Sequence, residues 1–158
     1  RKAQMMDDSP GFKFEQFEYD DGDAAIFTVF GRTQLNLIGV NTIRQCAEGI
    51  QAYRANSRMR CAVLRGASER AFIGGADLKE LQALETHNAA EFVGAIHALC
   101  VAIREFPVPI IARIRGYCLG GGLELALSCD LRFAGAGALF RLRPGVRGLP
   151  EFRSRVCL

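Results

Sequence analysis

The sequence predicts an α/β fold in which short strands alternate with helices and pair in parallel. Runs rich in β-branched and aromatic residues alternate with stretches whose apolar side chains recur at helical spacing. Two turns with consecutive glycines, at 72–76 and 119–122, each separate a strand from a helix. The length of 158 residues suits one domain, and hydrophobic and charged fractions of 49% and 23% are typical of a globular protein.

Four strands and four helices are expected after a polar, irregular lead at residues 1–11, which is predicted to be flexible. The strands are predicted at Ala24–Phe30, Cys61–Arg65, Ile110–Ile114 and Asp130–Ala134. The helices are predicted at Asn41–Asn56, from Asp77, at Asn88–Arg104 and at Leu123–Leu127. Pro107 ends the third helix, because proline cannot donate the helical hydrogen bond. His97 lies on the apolar side of that helix and is expected to be a packed core residue rather than a catalytic one.

Positive charge is concentrated at the carboxyl end of the chain. Residues 141–158 contain five arginines and one glutamate, whereas residues 1–140 are close to neutral. A nucleic-acid-binding protein would spread basic groups over one face, so we do not expect a nucleic-acid partner. No apolar run approaches the ~20 residues of a membrane span, so no membrane span is expected.

The six cysteines never occur at C-x-x-C spacing, and most lie in apolar runs. This pattern disfavours a zinc site or a disulfide scaffold and predicts a reducing compartment. We therefore expect the cytoplasm, or the mitochondrial matrix if a transit peptide has been removed. Cys118 and Cys129 flank the second glycine turn and its helix, with no histidine near them in sequence to act as a base. Both are expected to pack as small hydrophobes.

The two glycine turns carry the chemical signal of the sequence. The first lies in AFIGGADLK at 71–79 and the second in GYCLGGGLEL at 116–125. Each is either a simple connection or a place where unpaired N–H groups at a helix start can reach a ligand. Two such turns brought together could direct two N–H groups at one oxygen, which is an oxyanion hole. Phosphate binding is disfavoured, because neither turn has a G-x-G-x-x-G or a Gly-Lys-Ser/Thr pattern.

Both motifs, in this order and at this interval, resemble the crotonase (enoyl-CoA hydratase/isomerase) superfamily. The trailing SCDLRFA at 128–134 and Asn36 also fit, although the usual proline upstream of Asn36 is absent. The resemblance covers about Phe14 to Phe140. It implies a crotonase-like spiral of ββα units and a coenzyme A thioester as substrate. Coenzyme A is part of that substrate, so neither a separate cofactor nor a metal is expected.

The resemblance assigns roles to residues of both turns. The N–H groups of Ala76 and Gly121 would hold the thioester oxygen, and Ala76 to Lys79 with Gly121 would bind substrate. Asp77, Leu78 and Lys79 would line the acyl-CoA passage. From the residues alone, Asp77 is interpreted as a helix cap, and Lys79 as either solvated or in contact with the ligand. Glu124 matches the glutamate that activates water, and otherwise would only stabilise the start of its helix.

A second catalytic glutamate is not where the family places it. The family pattern F-x-x-P-E would put that glutamate at Pro144. Either Glu151 is this carboxylate, displaced by an insertion, or the tail at 141–158 is foreign to the family. The chain then divides into a core at 12–140 and an off-pattern, arginine-rich tail, with the family's C-terminal helical part missing. We expect exposed apolar faces and weak or no hydratase activity as a consequence.

The leading hypothesis is an enoyl-CoA hydratase-like enzyme that adds water to the double bond of a 2-enoyl-CoA. One alternative is an acyl-CoA double-bond isomerase, although such members often lack the glutamate that matches Glu124. The other is a non-catalytic subunit that keeps the crotonase fold. The resemblance also implies a homo-oligomer, a trimer or a dimer of trimers.

Overall fold

A computed structural model describes residues 10–77, 79–80 and 86–141. Its strands, in chain order, are β1 (Gly11–Tyr19), β2 (Gly22–Phe30), β3 (Met59–Gly66), β4 (Ala71–Ile73), β5 (Ile110–Ile114), β6 (Tyr117–Leu119), β7 (Leu131–Ala134) and β8 (Leu139–Arg141). Its helices are α1 (Val40–Tyr53), α2 (Thr86–Arg104) and α3 (Gly121–Ser128). None of the described helices is long and apolar enough to cross a membrane.

The strands form two sheets between which the chain alternates. The larger sheet has the order β1-β2-β3-β5-β7, and the smaller has the order β4-β6-β8. β1 is antiparallel to β2, and all other neighbours are parallel. Each strand of the larger sheet from β3 onwards is followed by one of the smaller sheet, and α3 follows the β5–β6 pair. The predicted α/β class and the ββα unit implied by the resemblance are confirmed.

One cluster of buried apolar side chains joins both sheets to the helices. In β2, Phe27 and Val29 are buried and belong to the same cluster as Ile43 and Ile50 of α1. Phe27 also meets Phe106 edge to face, with ring centroids 5.7 Å apart. A parallel strand covered by a helix has to be apolar, which explains why β2 is the most hydrophobic run of the first thirty residues.

The four predicted strands are confirmed to within two residues at each end. β4, β6 and β8 were not predicted, because three residues are too few to show an alternating pattern. β1 was also not predicted, since charged and aromatic residues are mixed along it. It begins at Gly11, which therefore belongs to the fold rather than to the flexible lead, while residues 1–9 lie outside the described residues.

Three of the helix predictions need correction at an end, the first being that α2 begins at Thr86 instead of Asn88. The helix predicted from Asp77 falls largely outside the described residues, which show helix there at 79–80. α1 ends at Tyr53 instead of Asn56, and α3 begins at Gly121, so the second glycine turn supplies the first residues of the helix. On α2 the buried stripe runs through Ile96, Leu99 and Ile103, whereas His97 is exposed. The prediction that His97 packs in the core is wrong, because the residue lies one position around the helix from that stripe.

Candidate active site

The two glycine turns lie side by side because their strands are neighbours. β4 pairs in parallel with β6, with Ala71 opposite Tyr117 and Ile73 opposite Cys118. Carboxyl ends of parallel strands share one edge of a sheet, which is the usual place for a ligand in α/β proteins. The turn after β4 and the turn after β6 therefore meet at the same edge of the smaller sheet.

A cavity of about 200 Å³ lies at this edge. Ala76, Gly121 and Glu124 line it, and Phe92, Val93 and Ile96 of α2 supply the remaining wall. The structure thus brings together three of the residues singled out in the sequence, one from each turn and the glutamate of α3. The wall that α2 contributes is apolar, so the cavity combines backbone amides and one carboxylate with a hydrophobic side.

Ala76 is held by backbone hydrogen bonds of its two neighbours. The N–H of Ile38 donates to the carbonyl of Gly75 at 3.0 Å, and the N–H of Asp77 donates to the carbonyl of Ile38 at 3.0 Å. Because consecutive residues of an extended segment alternate in direction, the N–H of Ala76 faces away from Ile38. No hydrogen bond within the described ranges uses that N–H. Gly75 has a φ of +112°, a conformation that favours glycine at this turn.

Gly121 is the first residue of α3, where backbone N–H groups have no partner within the helix. The first helical bonds are those of Leu123 and Glu124 to the carbonyl of Gly120, at 2.9 and 3.2 Å. Gly120 itself has a φ of +50°. A Cβ atom on Gly122 would overlap the carbonyl oxygen of Ile73 and lie 2.7 Å from that residue's Cβ. Gly122 therefore has to lack a side chain for the start of α3 to lie against the end of β4.

Glu124 lies in the first turn of α3, where the helix dipole favours a carboxylate. Its side chain is exposed and lines the cavity. Among the described residues, no hydrogen bond or ion pair engages its carboxylate, while its backbone carbonyl accepts a bond from Ser128 at 3.0 Å. The carboxylate is therefore available to a molecule in the cavity.

Two further predicted site residues, Asp77 and Lys79, are not part of the cavity lining. Asp77 is buried and accepts the N–H of Lys79 at 3.0 Å, as its interpretation as a helix cap predicts. Its other carboxylate oxygen accepts a bond from Arg32 at 3.1 Å. Lys79 is exposed and, like Asp77, is not part of the cavity lining. Leu78 and Glu151 lie outside the described residues.

Sequence reasoning missed two partners of the first turn, Arg32 and Glu80. Glu80 accepts the N–H of Val40 at 3.1 Å and so caps the start of α1. A sequence signal for this role existed. Gly39 precedes α1 and cannot cap it with a side chain, and the first turn of α1 has no acidic residue, so an acceptor from elsewhere in the chain was needed.

Cys118 and Cys129 are poorly suited to act as nucleophiles. Burial raises the pKa of the Cys118 and Cys129 thiols from 9.0 to about 12, so both are protonated at neutral pH. Their prediction as packing residues is confirmed by their nearly complete burial. Within the described residues, no group of three histidine, cysteine, aspartate or glutamate side chains could hold a metal ion.

The SCDLRFA segment also has a structural role that the sequence did not reveal. Asp130 accepts the N–H of Ile110 at 2.8 Å, which joins the end of α3 to the start of β5. Arg132 donates to the carbonyl of Cys129 at 2.7 Å and so satisfies a backbone group at the end of α3. These contacts fix the far end of the helix that carries Glu124.

Known proteins resemble this chain in sequence. The enoyl-CoA hydratase/isomerase family profile matches residues 23–149. YngF of Bacillus subtilis (strain 168) is 40% identical over 140 residues, which cover 82% of this chain and 51% of YngF. Enoyl-CoA hydratase domain-containing protein 2, mitochondrial, of Mus musculus is 39% identical over 114 residues, which cover 72% of this chain and 38% of that protein.

Solved structures agree with these matches. Pseudomonas aeruginosa DspI superposes with a TM-score of 0.79 at 28% identity, covering 96% of this chain and 56% of DspI. An enoyl-CoA hydratase from Bacillus anthracis superposes with a TM-score of 0.73 at 28% identity, covering 80% of this chain and 49% of that enzyme. The chain spans about half the length, or less, of the relatives that it matches. This chain belongs to the enoyl-CoA hydratase/isomerase family.

Proposed function

We propose that the cavity binds a coenzyme A thioester and that the site serves the hydration of a 2-enoyl-CoA, with the weak activity that the off-pattern tail of this chain leads us to expect. The observation that carries this proposal is the shared lining of one cavity by Ala76, Gly121 and Glu124. Several relatives bear the names of hydratases that act on coenzyme A esters, among them the human methylglutaconyl-CoA hydratase, which is 38% identical over 103 residues. The apolar wall from α2 suits an acyl chain beside the thioester.

The proposed chemistry follows from the groups around the cavity. The N–H groups of Ala76 and Gly121 donate to the thioester oxygen, on which negative charge develops as an enolate forms. Each such donor contributes roughly 3 kcal/mol to stabilisation of the transition state. Glu124 removes a proton from water, the water oxygen bonds to the β-carbon, and the α-carbon gains a proton. We assign this second proton transfer to Glu151, the displaced carboxylate of the sequence hypothesis.

Two further properties belong to the same proposal. We propose a homo-oligomer, trimeric or a dimer of trimers, and exposed apolar side chains on α3 and β7 support an interface there: Leu127, Leu131 and Phe133. We also propose location in the cytoplasm or the mitochondrial matrix. Its support is the set of unpaired cysteines in the described part of the chain, together with relatives from bacteria and from mitochondria.

Thioester recognition is tested by calorimetric titration of the chain with acetoacetyl-CoA and with free coenzyme A. The proposal expects acetoacetyl-CoA to bind more tightly, because only the thioester can use the two N–H donors. Equal affinities would contradict the oxyanion hole. The near-ultraviolet absorbance of the acetoacetyl-CoA enolate gives an independent signal of charge stabilisation at the site.

The role of Glu124 is tested by Glu124→Gln. We expect the rate of crotonyl-CoA hydration to fall by roughly 10²- to 10⁴-fold, with the affinity for acetoacetyl-CoA retained, because the amide cannot accept the proton. Glu105→Gln is a matched control, since this exposed glutamate pairs with Arg54 away from the cavity. An unchanged rate in Glu124→Gln would exclude Glu124 as the base, and binding without turnover in the wild type would indicate a non-catalytic subunit.

A further inference from the structure

Within the described part of the chain, the backbone hydrogen bonds of residues 74–77 to other segments go to residues 35–38. Beyond the two backbone bonds to Ile38, Gly74 donates its N–H to the carbonyl of Leu35 at 2.8 Å. Residues 74–77 thus lie along residues 35–38. The chain folds back before that segment, because the backbone N–H of Arg32 donates to the carbonyl of Leu37 at 2.7 Å and the N–H of Leu37 donates to the carbonyl of Arg32 at 2.8 Å. The direction of the Ala76 N–H consequently depends on how firmly these two segments stay together.

Charged side chains join the same two segments. The Asp77 carboxylate has only 8% of its side chain exposed, and its two oxygens are used by Lys79 N–H and by the Arg32 guanidinium. Arg32 also lies 3.6 Å from the Glu80 carboxylate. A buried carboxylate whose oxygens are both engaged in this way is well placed to fix backbone geometry, and it is not directed at a ligand.

Glu80 extends the connection to α1. Its carboxylate accepts the N–H of Val40, the first residue of α1, and it packs against Gly39 so closely that a Cβ atom there would overlap it. The carboxylates of Asp77 and Glu80 therefore connect Arg32 with the turn after β4 and with the start of α1. Arg32 is the one cation of the described residues that contacts both of them.

We propose that Arg32 and Asp77 are positioning residues that direct the N–H of Ala76 at the thioester oxygen. This inference rests on the proposed function, and it assigns to Asp77 a role different from the substrate contact that the family resemblance implies. Neither side chain touches the substrate in this proposal. Both act through the backbone of residues 75–77, which the ion pair holds against Ile38.

The test compares Arg32→Met and Asp77→Asn with the wild type. We expect the affinity for acetoacetyl-CoA to fall roughly 10- to 100-fold, because small displacements of a positioned group carry losses of this size. The affinity for free coenzyme A should change less than about two-fold. Arg32→Lys keeps the positive charge and should recover most of the loss. Arg54→Met is the matched control, since it breaks an exposed ion pair with Glu105 away from the cavity.

Amide hydrogen exchange tests the positioning without any ligand. Arg32→Met should speed exchange of the Asp77 and Lys79 amides, and Arg54→Met should leave both unchanged. A wild type without preference for acetoacetyl-CoA over coenzyme A would overturn the proposed function, whereas a wild-type preference that survives Arg32→Met would overturn the positioning role alone. Equal loss of both affinities, or unchanged exchange in Arg32→Met, would also overturn the positioning role.

Discussion

The two turns that line the cavity are held in place by partly different physical means. The turn after β4 is supported by an ion pair. Its own residue Asp77 pairs with Arg32, which comes from a distant part of the chain. The turn after β6 has no such ion pair among its described contacts, and Gly122 fits directly against the backbone of Ile73. Both turns thus depend on close backbone contact, since a Cβ atom on Gly74 would overlap the carbonyl oxygen of Leu35 as one on Gly122 would overlap that of Ile73. Within the described part of the chain, only the first turn is also supported by an ion pair.

This difference predicts different sensitivities. Only the turn supported by an ion pair should respond to loss of charge, whereas close backbone contact makes either turn respond to a single added methyl group. The second turn is also attached to the sheet through the N–H of Gly120, which donates to the carbonyl of Arg141 in β8 at 2.8 Å. The substitutions below separate the two means of support.

The largest effect is expected from Gly122→Ala in the second turn. The added Cβ atom would overlap the carbonyl of Ile73, and backbone atoms on both sides would have to move. We expect a loss of about 3 kcal/mol in the free energy of unfolding, as for severe overpacking, together with loss of thioester binding. Urea denaturation and titration with acetoacetyl-CoA measure the two effects.

Gly94→Ala is the matched control for this substitution. Gly94 lies within α2, and a Cβ atom there would meet no atom within 4 Å. This variant should gain roughly 0.5–1 kcal/mol, because alanine is a better helix former than glycine. If Gly122→Ala behaved like Gly94→Ala, the close contact with Ile73 would not be what holds the second turn.

A smaller loss is expected from Asn36→Ala beneath the first turn. The buried Asn36 side chain accepts the N–H of Gly31 at 2.6 Å and donates to the carbonyls of Val29 and Phe72 at 3.2 and 2.6 Å. Its removal leaves buried backbone groups unpaired, which costs about 2 kcal/mol. Denaturation measures this loss, and the exposed Asn41→Ala in α1 should change stability by less than about 0.5 kcal/mol. Equal stability of the two variants would show that Asn36 does not support β4.

The contrast between the turns also explains what could be predicted from the sequence. Consecutive glycines are a local signal, and Glu124 comes two residues after the second run of them. The positions of both turns and of that carboxylate were therefore predictable. The pairing of Arg32 with Asp77 joins residues 45 positions apart, and no local pattern connects them. β4 and β6 bring the turns together, yet each has three residues, which is too short for a periodic signal. Their pairing emerges only from the packing of the whole core.

The strand before the second turn also carries a group that makes the stability of the fold sensitive to alkaline conditions. Cys118 in β6 is fully buried, and burial raises the pKa of its thiol from 9.0 to about 12. The unfolded chain loses this proton near pH 9, whereas the folded chain keeps it until about pH 12. The contribution of the thiol to the free energy of unfolding is therefore fully present below pH 9. It is lost as the pH rises towards 12, by up to about 1.4 kcal/mol per pH unit for each such thiol.

Cys118→Ala isolates this pH dependence, which is absent near neutral pH and develops only above pH 9. Cys46 and Cys129 also have a thiol pKa raised to about 12 by burial, so the wild type should lose stability steeply above pH 9. Above pH 9 the free energy of unfolding of the variant should fall by about 1.4 kcal/mol less per pH unit than that of the wild type, because one of these three thiols is gone. Urea denaturation at half-unit steps from pH 8 to 10.5 measures both slopes. If the free energy of unfolding fell equally steeply with pH in the wild type and the variant, the Cys118 thiol would ionise equally in the folded and unfolded chain. β6 would then be open to solvent beside the second turn.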